Sequence, residues 1–168
     1  MSSPSPAAVR ESLRGKPVVV ILGGGNAEIL IAKALETEVN VVVVDRKDHF
    51  YHQIATPRAV VTSSIGWRLT IPYTHLLKYG HVIQGDVTEV QATSIKLLGR
   101  EELLHFDYLV VATGYGATFP NYESFTSAQQ AVTSFEESAR AIKEVSPDPL
   151  FRYVMLFHPS HLRFSLLY

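Results

Sequence analysis

Three consecutive glycines, Gly23, Gly24 and Gly25, follow directly on the apolar run Val18–Leu22, and Asp45 closes a second apolar run about twenty positions later. Glycines at such a turn let the backbone approach an anion closely, and the free N–H groups and positive dipole end of a following helix then face it. A carboxylate where Asp45 stands suits the hydroxyls of an adenosine ribose. Gly23 and Gly25 take the first two glycine places of the G-x-G-x-x-G pattern, but the third, which lets the helix pack closely on the strand, is held by Glu28. Burying an ionised glutamate there costs roughly several kcal/mol, whereas the helix dipole returns only about 0.3–1 kcal/mol, at most ~2. The sequence therefore predicts that Glu28 turns outward. Three residues after Gly25, its carboxylate can also reach back to the N–H groups that a pyrophosphate needs, which predicts weakened nucleotide binding.

The elements that must position these residues are legible from pattern. Val18–Leu22 and Val39–Asp45 are continuous β-branched runs, as expected of strands buried on both faces in a parallel sheet. Between them Ile29, Leu30, Ala32, Ala34 and Leu35 lie among helix formers, so strand, glycine turn, helix and strand make one right-handed βαβ unit. The segment "RKDHFYHQ" reads as a polar aromatic loop, and "ATPRAVVTS" as a short helix started by Pro57. From His81 to Gly114 the chain reads as several short strands, with a turn at Gly99 and Arg100, a small antiparallel layer in "SIKLL" and "ELLHF", and another buried run at Tyr108–Ala112. Ser127–Val145 carries Ala131, Val132, Phe135, Ala139, Ile142 and Val145 at helical spacing and stops before Pro147 and Pro149.

Composition narrows the function classes. A chain of 168 residues, 46% hydrophobic and 18% charged, is long enough for one packed domain. Fifteen basic against sixteen acidic residues give a net charge of −1, without the basic field that nucleic-acid binding uses. The chain has no cysteine, which removes disulfide and thiolate redox chemistry. The Ser- and Pro-rich residues 1–16 read as a mobile leader with neither a secretory core nor a myristoyl-accepting glycine. No apolar stretch approaches the roughly twenty residues that span a bilayer. A cytoplasmic chain is predicted, with attachment to a membrane surface or a mitochondrial address left open.

"VVVILGGGNA", "VVVVDRKDHFYHQIATPRAVV", "GDVTEV" and "FDYLVVATGYGATFP", in this order, resemble the FAD-binding half of the two-dinucleotide-domain flavoprotein reductases, pyridine nucleotide-disulfide oxidoreductase-like proteins. The closest resemblance is to the apoptosis-inducing-factor-like, ferroptosis-suppressor branch, related to type II NADH dehydrogenases. It runs from about Pro17 to Val145. It implies an α/β Rossmann-like domain over 17–146, a parallel sheet with a small antiparallel layer, and a divergent apolar tail over 147–168. It further implies that Gly23, Gly24, Gly25, Asn26 and Ala27 cradle the FAD pyrophosphate, and that Asp45 binds the ribose with Arg46 and Lys47 beside it. By the same resemblance Arg58 touches the flavin cofactor, Val87 meets the adenine through its backbone, and Ala112, Thr113 and Gly114 pass close to it. The implied activity is electron transfer from NAD(P)H through FAD to a quinone or similar acceptor, by positioning and electrostatics rather than a catalytic acid or base. The family's second glycine turn, for NAD(P)H, and its late Gly-Asp motif are absent from the sequence, which predicts a truncated product.

Other constellations point less far. His49 and His52, like His158 and His161, are spaced to share a metal on a helix but lack a clear third ligand beyond Asp48; a loop position near the cofactor edge is the preferred reading of the first pair. Phe50, Tyr51, Trp67 and Tyr73 either flank a flavin or quinone or, preferably, pack the loop on the sheet. Ser63, Ser64 and Ser127 have no positioned histidine and acid, and Asp107 reads as the end of a strand connection. Two rivals stand beside the oxidoreductase reading: a non-catalytic nucleotide-binding fragment that docks on another subunit, and an NAD-only dehydrogenase, which the late "YLVVATG" and the missing Tyr-x-x-x-Lys pattern oppose.

Overall fold

A computed structural model describes residues 5, 6, 8, 9, 15–114 and 125–145. The tail 147–168, with His158 and His161, lies outside the described residues. Four strands form a parallel sheet: β1 (Val18–Leu22), β2 (Asn40–Asp45), β5 (His81–Gln84) and β9 (Tyr108–Val111), in the order β5-β2-β1-β9. Val20 of β1 pairs with Val42 of β2 on one side and Leu109 of β9 on the other. Helix α1 (Asn26–Leu35) makes the crossover from β1 to β2.

The unbroken β-branched runs are explained by what covers the sheet. Alternate side chains point to opposite faces. Val19, Ile21, Val41 and Val43 pack with Ala32 of α1 and Leu77 on one face. Val20, Leu22, Val42, Val44 and Ile83 pack on the other against Ile95, Leu97 and Leu104. Those last three belong to an antiparallel sheet, β6 (Val87–Val90), β7 (Ser94–Leu97) and β8 (Leu103–His105), in the order β6-β7-β8. In its "SIKL" strand Ile95 and Leu97 turn into this core, with Lys96 exposed between them. Gly99, at φ 69°, lies in the turn before Arg100.

A second cluster lies around α2 (Thr56–Val61) and α3 (Ala128–Val145), where Ala59, Val60, Ala131 and Phe135 pack with Leu69. Pro57 lies in the first turn of α2, where its missing N–H costs nothing. The segment expected to be a loop contains β3 (His49–Tyr51), paired antiparallel with β4 (Thr70–Pro72). Three residues are too few for alternation to show in sequence, yet Phe50 faces Ile29 and Tyr73 while Tyr51 stacks on Phe135 with centroids 5.8 Å apart. Within the leader, Pro6, Ala8 and Val9 are helical and Val9 is buried in the same core as Val20 and Val42, so this apolar residue packs on the domain where the composition of 1–16 predicts mobility.

Candidate functional site

The carboxyl ends of β1, β2 and β9 converge on the glycine turn. Gly23 donates its N–H to Val44 O at 2.8 Å and adopts φ +106°, a backbone state that side chains other than glycine resist. A Cβ there would lie 2.6 Å from the backbone oxygen of Ala112, which itself follows β9 and donates its N–H to Leu22 O at 3.1 Å. Gly25 caps α1 without a side-chain bond, so Asn26, Ala27 and Glu28 present the first N–H groups of the helix. Thr113 and Gly114 continue past Ala112, exposed, with Gly114 at φ 77°.

Asp45 ends β2 beside this turn and is 5% exposed. Its carboxylate accepts the Lys47 backbone N–H at 2.7 Å and the Lys47 ammonium at 3.0 Å. The ion pair and the local N–H bond together give the buried carboxylate hydrogen-bonding partners within its own segment. Arg46 is exposed, and its carbonyl accepts the Gln84 side-chain amide at 3.0 Å. Gly85 donates to Asp45 O at 2.9 Å, which carries the chain into β6 and brings Val87, partly buried, alongside the end of β2. Gly23, Gly24, Gly25, Asn26, Ala27, Asp45, Arg46, Lys47, Val87, Ala112, Thr113 and Gly114 thus gather at one edge of the sheet. Arg58 lies on the exposed side of α2, a helix that packs on α3 and on neighbouring 3-10 turns.

Glu28 does not turn outward. It is 7% exposed, and its carboxylate folds back over the turn it follows. One oxygen lies 3.0 Å from where a Gly23 Cβ would stand and the other 3.0 Å from a Gly25 Cβ. The desolvation argument fails because the missing side chains of these two glycines leave room for the carboxylate against the positive start of α1. The structure thus puts the Glu28 carboxyl group where the glycine turn would otherwise receive an anion.

Tyr73 is a site residue for which the sequence offered two roles, flanking a flavin or quinone and, preferably, packing the loop on the sheet, but no bond to the glycine turn. It opens the 3-10 turn Tyr73–His75, is 4% exposed, and donates its hydroxyl to Gly24 O at 3.1 Å. Burial, followed by the Asp45 carboxylate, pushes its ionisation well above the ordinary tyrosine range, so it stays a neutral donor. The sequence signal for it was weak: an aromatic after Pro72 carries no spacing relation to a glycine turn 49 residues away.

The other candidates have local duties. His49, buried in β3, bonds through Nδ1 to Asp48 at 2.6 Å, while His52 is exposed. Asp48 also accepts the Ala128 N–H at 2.9 Å at the start of α3. Trp67 is exposed with the Arg68 guanidinium 5.2 Å above its ring. Asp107 ties strand ends, accepting the Val18 N–H at 2.7 Å and donating its own N–H to Val18 O at 2.9 Å. No helix among the described residues is long and apolar enough to cross a membrane.

A parallel sheet flanked by helix and antiparallel layer, with a glycine turn and an acidic strand end at one edge, defines an α/β Rossmann-like domain. No protein-family model matches the chain. It is 38% identical over 131 residues to apoptosis-inducing factor homolog B of Dictyostelium discoideum, covering 77% of this chain and 34% of that protein. It is 34% identical over 143 residues to ferroptosis suppressor protein 1 of Xenopus tropicalis, covering 83% and 37%. Among solved structures, NDH2 from Plasmodium falciparum in complex with NADH superposes with a TM-score of 0.59 at 17% identity, over 80% of this chain and 31% of that one. The sulfide:quinone oxidoreductase from Aquifex aeolicus does so with a TM-score of 0.54 at 20% identity, over 79% and 33%. The structural likenesses establish the fold. The chain belongs to the family of the apoptosis-inducing factor homologues and ferroptosis suppressor proteins, and it spans about a third of the length of the curated relatives it matches.

Proposed function

We propose that residues 17–146 are the FAD-binding domain of an NAD(P)H-dependent flavoprotein oxidoreductase that passes electrons to a quinone or similar acceptor. The observation that carries this reading is the gathering of Gly23, Gly25, Asp45 and Ala112 at one sheet edge, with no room for a side chain at Gly23. The glycine cradle and the buried acid fit a dinucleotide on chemical grounds: helix-start N–H groups for the pyrophosphate and a carboxylate for the ribose. FAD, when bound, supplies the hydride-accepting centre. The chain's own residues bind and orient: Gly23 to Ala27 face the pyrophosphate, and Asp45, held by Lys47, faces the ribose. Val87 passes the adenine, and Ala112 to Gly114 close the edge. Support for the acceptor comes from the Aquifex aeolicus neighbour, a sulfide:quinone oxidoreductase, and for the donor from the Plasmodium falciparum NDH2, which is in complex with NADH. A cytoplasmic location, with attachment to a membrane surface or a mitochondrial address left open, is part of the same reading.

The test is a visible spectrum of the purified chain after loading with FAD and desalting. Retained flavin absorbance supports the reading. A colourless protein that nevertheless binds NADH returns the NAD-only alternative.

The carboxylate of Glu28 against Gly23 and Gly25 favours a second reading, a non-catalytic nucleotide-binding fragment with weakened FAD affinity. Retained flavin with a flat baseline for NADH oxidation by quinones distinguishes it from the complete enzyme.

A further inference from the structure

Gly24 occupies a place that the phosphate-turn pattern leaves free to any residue, yet here it has no room for one. A Cβ on Gly24 would lie 2.6 Å from Cζ of Tyr73 and 2.7 Å from Oδ2 of Asp45, and closer still to the Tyr73 hydroxyl. The hydroxyl therefore stands in the space that a side chain at the middle glycine would fill. It donates to Gly24 O at 3.1 Å and borders the Asp45 carboxylate, so a single O–H lies between the phosphate turn and the acidic end of β2. A phenol has one proton for these two acceptors, and with Glu28 and Asp48 also nearby it does not ionise and remains a donor. The ring beneath it is locked by packing: Ile29 of α1 and Phe50 of β3 hold it from two elements.

We infer that Tyr73 is a positioning residue of the dinucleotide site, whose hydroxyl tethers the Gly24 carbonyl to the end of β2 and so sets the direction of the turn's N–H groups. A peptide group is planar, so fixing the Gly24 carbonyl fixes the Gly25 N–H on the other side of the same bond. The tether also explains why three glycines stand in a row where the pattern asks for two. The consequence for ligand affinity rests on the FAD-binding reading above; the tether itself does not.

The experiment compares the full chain with Tyr73→Phe, which keeps the ring and deletes the hydroxyl, and with Gly24→Ala, which displaces the hydroxyl. Two quantities are measured: amide hydrogen exchange without nucleotide, and affinity for FAD and for ADP. The expected result is exchange about tenfold faster in both variants at residues 23–27, with β5 unchanged, and FAD and ADP affinity lowered about tenfold in Tyr73→Phe, as one lost hydrogen bond predicts. Unchanged exchange at the turn in both variants overturns the inference. So does unchanged affinity in Tyr73→Phe when the parent chain binds. Acceleration spread evenly over the whole sheet makes Tyr73 a packing residue only and overturns it as well. If the parent chain binds neither FAD nor ADP, the proposed function fails, and the exchange data alone decide the tether.

Discussion

The two ends of the parallel sheet are built on opposite terms. At the amino-terminal end, polar groups near the surface clamp one chain end to the next. Lys16 Nζ donates to Thr37 O at 2.7 Å, Asn40 Nδ2 to Lys16 O at 2.8 Å, and Asp107 accepts from Val18 N–H at 2.7 Å. Glu36 gathers the backbone N–H groups of Lys78, Tyr79 and Gly80 at 2.8, 2.8 and 3.0 Å. At the carboxyl-terminal end the polar groups are buried: the carboxylates of Glu28 and Asp45 and the neutral Tyr73 hydroxyl lie within a few ångströms of where side chains on the turn glycines would stand. Both ends are rich in carboxylates, and their partners differ. Near the surface, carboxylates accept backbone N–H groups and close loops between elements; at the carboxyl-terminal end, Asp45 is held by its near neighbour Lys47 and Glu28 folds back against Gly23 and Gly25 of the turn. The second arrangement adds little to stability and is understandable as a site.

Substitutions separate the two ends. The largest effect is expected from Gly23→Ala, which combines a disfavoured positive φ with a clash against the Ala112 carbonyl. A loss of about 2–4 kcal/mol in denaturant unfolding, together with loss of FAD retention, is predicted.

Next comes Glu36→Ala at the other end. Although burial opposes ionisation, the three backbone N–H bonds and Lys33 hold the Glu36 carboxyl below its ordinary 4.5. A depressed folded value means that the stabilisation is present above the unfolded value and is lost as pH falls through the folded one. The variant should therefore lose about 1–2 kcal/mol at pH 7 and leave nucleotide binding unchanged. The gap from the parent chain should close below pH 4.5 in a series of chemical denaturation curves.

A smaller and opposite effect is expected from Glu28→Gly, which removes the carboxylate from the turn. FAD affinity should rise about tenfold, since roughly 1.4 kcal/mol of repulsion and competition is a modest share of a buried charge's cost. Stability should change by less than about 1 kcal/mol, because the helix loses propensity as it loses the buried charge. Equal flavin retention by the two proteins would refute the role given to Glu28. The smallest effect belongs to Asp107→Asn, which keeps an acceptor for Val18 N–H but removes its charge; about 0.5–1 kcal/mol in thermal or denaturant unfolding is expected, with binding intact.

Much of this was legible in sequence, for reasons that lie in periodicity. The buried runs at Val18–Leu22 and Asn40–Asp45 reflect strands covered on both faces, while Ile95 and Leu97 on either side of exposed Lys96 and the helical spacing of Ala131, Phe135 and Ala139 reflect side chains aimed at one core. Strand β3 was illegible because three residues carry no period, and its pairing with β4 is set by contacts to Ile29, Tyr73 and Phe135 from elsewhere in the chain. The phosphate turn announced itself through glycine, and the spacing of Glu28 announced that its carboxylate can reach back over the turn. The expectation that Glu28 turns outward came from the general cost of burying a charge, while the space that receives it exists because Gly23 and Gly25 lack side chains. Tyr73 was unreadable for the complementary reason, since nothing local to "TIPYTH" records that its hydroxyl ends at Gly24. Arg58 was singled out by its match in "PRAVV" alone, and it stands exposed on a helix that packs on α3 and its 3-10 neighbours.

The central claim is that the glycine turn and Asp45 form an FAD site. It is tested most directly by titrating the purified chain with FAD, following the flavin absorbance change, beside Gly23→Ala as the control. The account predicts saturable binding of one FAD per chain that is lost in the variant. A folded chain that binds no FAD, or binds it equally well with alanine at position 23, would contradict it.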